Sequence, residues 1–143
     1  MKKVLELENI KVNLNSVSKE EAIRFAGEHL LNLGYVQKEY IDSMLRRENN
    51  LTTYIGNHVA IPHGDTGSAS LVKTTGIVFH HYKKGVDFGK EKAHFIIGIA
   101  SKDNYHLEIL ANIAEIFSDA DLVKSFLKKE VTVEKVFKLL QGE

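Results

Sequence analysis

Seven histidines stand in this sequence, and one of them directly follows its only proline. That histidine, His63, sits in the run Gly56-Asn57-His58-Val59-Ala60-Ile61-Pro62-His63-Gly64-Asp65. Val59 to Ile61 reads as a strand, and Pro62 ends it because proline cannot donate to a ladder. Gly64 then permits a tight turn and the close approach of another backbone. His63 is therefore held at the end of a rigid strand with little bulk beside it. A neutral imidazole has one ring nitrogen able to attack an electrophile, and its ordinary pKa of about 6.5 leaves it neutral near pH 7. The chemistry open to His63 is that of a nucleophile or a general base. A solvated loop histidine is the alternative on local sequence.

Two further features could assist. His106 follows Ser101-Lys102-Asp103-Asn104-Tyr105, in which Asp103 or Asn104 can cap a helix. A histidine in a first helical turn feels the positive end of the dipole, which favours neutral imidazole. That helix end also offers N–H donors suited to a phosphate. An exposed histidine on a helix shoulder fits the same residues equally well. Arg46 and Arg47 end a second helical segment, where basic residues complement the dipole. Functionally, an arginine fork binds and neutralises a phosphoryl group.

A metal site is the rival use of so many histidines. His58 and His63 are five apart and His80 and His81 adjacent, so neither pair shares one face of an extended strand. There is no cysteine and no HExxH. His29 falls on the apolar side of the first helix as a partly buried packing residue, and His80, His81 and His94 are expected on strand surfaces.

The elements that must position these groups are legible from periodicity. After an apolar lead-in from Val4 to Leu14, Ser18-Lys19-Glu20-Glu21 reads as a capping box. Ala22, Ile23, Phe25, Ala26, His29, Leu30 and Leu31 follow at helical spacing until Gly34. Lys38 to Arg47 is a second amphipathic helix. The period then changes: Thr53-Tyr54-Ile55 and Val59-Ala60-Ile61 are short strands, and Thr74 to Tyr82 and Ala93 to Ser101 longer ones. The last is apolar almost throughout, as suits a central strand covered on both faces. Gly85-Val86-Asp87-Phe88-Gly89 is expected to turn between the two. The final third is helical, with an apolar stripe of Leu107, Ile109, Leu110, Ile113, Ala114 and Phe117. Ser118-Asp119-Ala120-Asp121 is a second capping box, and Thr132 caps a last helix that stops at Gly142. The fold class expected is α/β: a single compact domain with a small mixed sheet of about five strands, flanked by helices.

Composition narrows the function. The 143 residues carry 19 basic and 19 acidic side chains, without the net charge of a general nucleic-acid binder. The absence of cysteine excludes disulfide scaffolds, zinc ribbons, iron–sulfur clusters and thiol nucleophiles. No apolar run approaches the ~20 residues that span a bilayer. The charged start is unlike a signal peptide. A cytoplasmic protein is expected, and the Met1 start with a Gly142-Glu143 end points to a free-standing subunit.

Five ordered blocks closely resemble one known family: Arg46-Arg47-Glu48, Thr53-Tyr54-Ile55-Gly56, Val59-Ala60-Ile61-Pro62-His63-Gly64, Gly76-Ile77-Val78-Phe79 and Ile97-Gly98-Ile99-Ala100. The family is the mannitol/fructose-class enzyme IIA of the bacterial phosphoenolpyruvate-dependent sugar phosphotransferase system. The likeness runs in one register from about residue 4 to 141, so the whole chain, 1–143, is expected to be one such domain. The mannitol branch is the most similar, in EEAIRFAGE, the GYV turn and GVDFG.

The resemblance implies a phosphotransferase component, a phosphoryl carrier that needs neither cofactor nor metal. It implies that His63 takes a phosphoryl group from the carrier protein HPr and passes it to the IIB domain of a mannitol permease. His106 matches the family's second histidine, which supports the phosphoryl oxygens. Arg47, rather than Arg46, matches the arginine that neutralises charge. Asp65 departs from the family, where threonine is common after Pro-His-Gly, and it is expected to point away from a phosphorylated histidine. Val59, Ile61 and Phe88 are candidates for an apolar rim that meets both partners. Within the family, the alternative is a nitrogen-related regulatory IIA phosphorylated on the same histidine. Outside it stand an inactive binding module and, with least support, a hydrolase using His63 as base.

Overall fold

The computed structural model describes residues 4–102 and 105–141, with side chains throughout except at 105–110. The five described strands form one mixed sheet in the order β1-β4-β5-β3-β2. Its centre is the antiparallel pair β4 (Gly76–Asp87) and β5 (Lys92–Ala100). On one side β1 (Ile10–Leu14) runs parallel to β4. On the other, β3 (Val59–Ala60) runs parallel to β5, with β2 (Tyr54–Gly56) antiparallel at the edge. The lead-in after Val4 thus supplies an edge strand in its last five residues.

Alternation along the two central strands sorts their side chains between two helical layers. Ile77 and Phe79 of β4 join Phe95, Ile97 and Ile99 of β5 on one face. There they pack with Ile113 and Phe117 of α3 (Tyr105–Phe117), Val123 of α4 (Ala120–Lys128) and Val136 of α5 (Val133–Leu140). Ala114, expected in that apolar stripe, is exposed. On the other face Val78 and Ala100 pack with Ile23, Ala26 and Leu30 of α1 (Lys19–Asn32) and with Tyr40 and Met44 of α2 (Tyr40–Asn50).

The helix ends follow the capping rules. The Ser18 hydroxyl accepts the Glu21 N–H at 3.1 Å and donates to the Glu21 carboxylate at 3.0 Å. Gly34 adopts φ +85°, and the Gly34 and Tyr35 amides donate back to the Leu31 and Leu30 carbonyls, closing α1 with a Schellman motif. Thr132 caps α5 through the Lys135 amide. The cap of α4 is Asp119 rather than Ser118: its carboxylate accepts from Asp121 and Leu122, while Ser118 turns back to the Glu115 carbonyl. The predicted stop at Gly142 and the capping residues Asp103 and Asn104 lie outside the described residues.

Two expectations are corrected. β4 does not turn at Gly85 but continues to Asp87, because the fully buried Val86 is drawn into the ladder opposite Ala93. The register slips between His81 and Val86, with Gly85 at φ +78°, and the reversal falls at Phe88 to Glu91. His80 and His81 are buried rather than on a strand surface. β4 is covered on both faces, so neither of two successive side chains meets water.

Candidate functional site

The Val59–Ala60 strand is followed by Ile61 and Pro62, whose carbonyl accepts the Ile99 amide at 2.9 Å. His63 then forms an isolated parallel bridge with Ile99. The histidine therefore stands at the carboxyl ends of two parallel strands, where open α/β sheets commonly place ligands. Its Nδ1 lies 2.7 Å from the Ile61 carbonyl oxygen. A carbonyl only accepts, so this bond puts the imidazole hydrogen on Nδ1 and the lone pair of the neutral ring on Nε2. Pro62 makes the Ile61 carbonyl part of a tertiary amide and withholds a competing N–H.

The turn after His63 is braced from α2. The Tyr40 hydroxyl accepts the Gly64 N–H at 2.8 Å and donates to the Ile99 carbonyl at 2.7 Å. Burial pushes that phenol up to about 12, with the Gly64 amide opposing and the Asp65 charge adding, so it serves as a neutral bridge. Because Tyr40 takes the Gly64 amide, that N–H does not contribute to an anion cradle in this state. Gly64 is required by space rather than by φ: a Cβ there would meet Ser68 Oγ at 2.3 Å, the Tyr40 ring at 2.6 Å and Ser43 Oγ at 2.8 Å. Farther on, Ser68 folds the turn by donating its hydroxyl and amide to the Asp65 carbonyl.

A pocket of about 350 Å³ opens at this place, lined by Tyr40, Arg47, His63, Gly64, Ser68 and Ser101 among others. His63 and Arg47, chosen from sequence, thus line one cavity. Arg47 donates from Nη1 to the Leu51 carbonyl just past its own helix. Arg46 instead lies outside, exposed, and donates from Nε to the Asp65 carboxylate at 2.8 Å, an interaction that raises its pKa. Asp65, expected to point away, is among the residues that line this pocket, and its negative charge is met by Arg46. His106 falls in the first turn of α3, and its side chain lies outside the described residues. Val59, Ile61 and Phe88, expected as an apolar rim, are buried; among the described residues the large apolar side chains exposed after α2 are Leu51 and Ile55. Tyr40 was not singled out by its sequence, where it reads as one more apolar position of α2; its hydroxyl is the sole signal.

Four of the other described histidines pair across elements, while the His81 Nδ1 accepts the Asn13 N–H at 3.1 Å. His29 Nδ1 lies 2.8 Å from His80 Nε2, and His58 Nδ1 lies 3.1 Å from His94 Nδ1. No group of three or more metal-ligating side chains occurs among the described residues. Nor is any described helix long and apolar enough to cross a membrane.

Fold and site together define a mixed-sheet α/β domain that presents one histidine, fixed in a single tautomer, beside an arginine. Residues 3–142 match the family described as phosphoenolpyruvate-dependent sugar phosphotransferase system, EIIA 2. The chain belongs to this family. It is 43% identical to the mannitol-specific phosphotransferase enzyme IIA component of Geobacillus stearothermophilus, covering 96% of this chain and 94% of that one. It is 40% identical to the mannitol-specific EIICBA component of Escherichia coli K12 over 96% of its own length, but spans only 22% of that longer protein. Among solved structures, the complex of enzyme IIAMTL and phosphorylated enzyme IIBMTL from Escherichia coli superimposes with a TM-score of 0.89 at 39% identity, covering 97% of this chain and 98% of that one.

Proposed function

We propose that this chain is a cytoplasmic phosphoryl carrier of mannitol uptake, with His63 accepting the phosphoryl group from phospho-HPr and passing it to the IIB domain of a mannitol permease. The observation that carries this reading is the Nδ1 to Ile61 carbonyl bond in a pocket shared with Arg47. The mannitol assignment is supported by the names of the relatives, and that of a IIB acceptor by the solved complex.

In the forward step the Nε2 lone pair attacks the phosphorus of the donor's phosphohistidine. One N–P bond forms as the donor's N–P bond breaks, and its electron pair returns to the donor imidazole. His63 gains positive character as the bond forms, and the Ile61 carbonyl oxygen at Nδ1–H stabilises it. Such a transfer depends mainly on alignment and on charge stabilisation. Arg47 neutralises the equatorial phosphoryl oxygens, and His106 supports them by hydrogen bonding. Passing the group to IIB is the same displacement in reverse, with His63 as leaving group.

Incubation with phosphoenolpyruvate, enzyme I and HPr should add one acid-labile, base-stable phosphate, which chases onto purified mannitol IIB. The His63→Ala protein should take none. Labelling of that variant to the level of the parent would end the assignment.

A further inference from the structure

Glu48 follows the proposed phosphoryl-binding arginine, yet it turns inward and is 5% exposed. Its Oε1 accepts both the Thr53 N–H at 2.9 Å and the Thr53 hydroxyl at 2.6 Å. Its Oε2 is buried without a hydrogen bond among the described residues, with Lys19 Nζ 3.8 Å away. A carboxylate taken out of water is costly unless its bonds matter, and an apolar side chain would fill the same space at less cost. What Thr53 does next gives the bonds a purpose. Its carbonyl accepts the Ile61 N–H at 3.0 Å, and the Ile61 carbonyl is the acceptor for His63 Nδ1. The path Glu48, Thr53, Ile61, His63 is continuous. At Thr53 and at Ile61 it enters through one peptide group and leaves through the next, so it passes through the Cα and acts by placement rather than by electronic polarisation. The adjoining Leu51 carbonyl also receives Arg47. One buried carboxylate therefore anchors the segment on which both pocket groups lean.

We propose that Glu48 and Thr53 are positioning residues: by fixing the Ile61 carbonyl they hold His63, which lines the pocket, in the Nδ1–H tautomer that leaves the ring lone pair on Nε2. This deepens the reading of His63 as phosphoryl acceptor and rests on it for its purpose, but the tautomer itself can be measured without any transfer.

The test is ¹⁵N NMR of the histidine rings in the unphosphorylated full chain, with the rate of phosphoryl uptake from phospho-HPr measured in parallel. The parent should show His63 protonated at Nδ1. Glu48→Ala should shift His63 toward a mixture of tautomers and slow uptake about 10-fold, as expected for a misplaced reacting group. Glu48→Gln, whose amide oxygen can accept both Thr53 bonds, should restore most of the tautomer and the rate. Should Glu48→Ala not fold, Thr53→Val carries the test. It keeps the backbone bond to Glu48 and loses the hydroxyl, and it should give a smaller shift of the same sign. An unchanged His63 tautomer in folded Glu48→Ala, or in Thr53→Val where only that variant folds, overturns the proposal whatever happens to the rate. If the parent takes no phosphate on His63, the functional reading fails, while the tautomer comparison still decides the positioning role.

Discussion

His63 and the His29–His80 pair make an instructive contrast, because both use a backbone carbonyl to fix a tautomer. His29 Nε2 lies 3.0 Å from the Glu8 carbonyl and must donate to it, so its Nδ1 accepts from His80 Nε2–H. His80 Nδ1 is then left as a buried lone pair with no hydrogen-bond partner among the described residues. This pair joins α1 to β4, with the Phe25 ring centred 4.9 Å from that of His80. Burial, then the neighbouring His29 and Lys11, pushes His80 down to about 3. His29 is also lowered, chiefly by burial, with Lys11 adding and the Glu8 carbonyl and charge opposing. At His63 the same device faces a pocket with an arginine in its wall. A fixed tautomer is thus common to both regions; access and an adjacent cation distinguish the one suited to transfer.

The largest difference between the regions should appear when each is removed. His63→Ala abolishes phosphoryl uptake, whereas His80→Leu leaves the rate unchanged in whatever fraction folds. A fall in rate per folded molecule in the second variant would erase the contrast. Next in size is Arg47→Lys, expected to slow uptake about 10–100-fold because an ammonium cannot reproduce the planar fork. Arg46→Lys should have no such effect, since Arg46 does not line the pocket and is engaged with Asp65; single-turnover kinetics separate the two. If Arg46→Lys is the slower, the cation of the site has been misassigned.

A third prediction concerns the packing of the two regions. Gly64→Ala should destabilise the fold by about 1–3 kcal/mol in urea unfolding, since the added Cβ collides with Ser68, Tyr40 and Ser43. No loss of stability would mean that this turn is looser than described. The smallest effect per step is the pH dependence of the buried pair. His29 and His80 titrate below 6.5 in the fold, while unfolded histidine titrates near 6.5. The unfolded chain therefore binds more protons below that pH. Stability is complete above pH 6.5 and falls on acidification toward about pH 3, by up to about 1.4 kcal/mol per pH unit for each histidine kept neutral. His80→Leu should make the slope of unfolding free energy between pH 6 and 4 shallower. It should not make it flat, because His81, lowered to about 4 chiefly by burial, still contributes. An unaltered slope would show that the pair is not what acid disrupts.

The parts of this molecule that periodicity controls were legible in its sequence. The capped first helix, the two long strands and the closing helices all follow from local spacing and capping chemistry. His63 and Arg47 were legible for a different reason: Pro62 and Gly64 mark a strand end, and the ordered blocks carry the family. What escaped depends on contacts between distant segments. Burial of His80 and His81 requires both faces of β4 to be covered. The Arg46–Asp65 pair, 19 residues apart, answers a charge that looked misplaced. Tyr40 and Glu48 act through single polar atoms on a helix whose apolar pattern hides them.

The central claim is that the Ile61 carbonyl selects the nitrogen that takes the phosphoryl group. Phosphorus–nitrogen coupling in the ¹⁵N-histidine-labelled phosphoprotein measures it directly. Phosphorus is expected on Nε2 of His63 with Nδ1 still protonated. Phosphorus on Nδ1, or on another histidine, contradicts it.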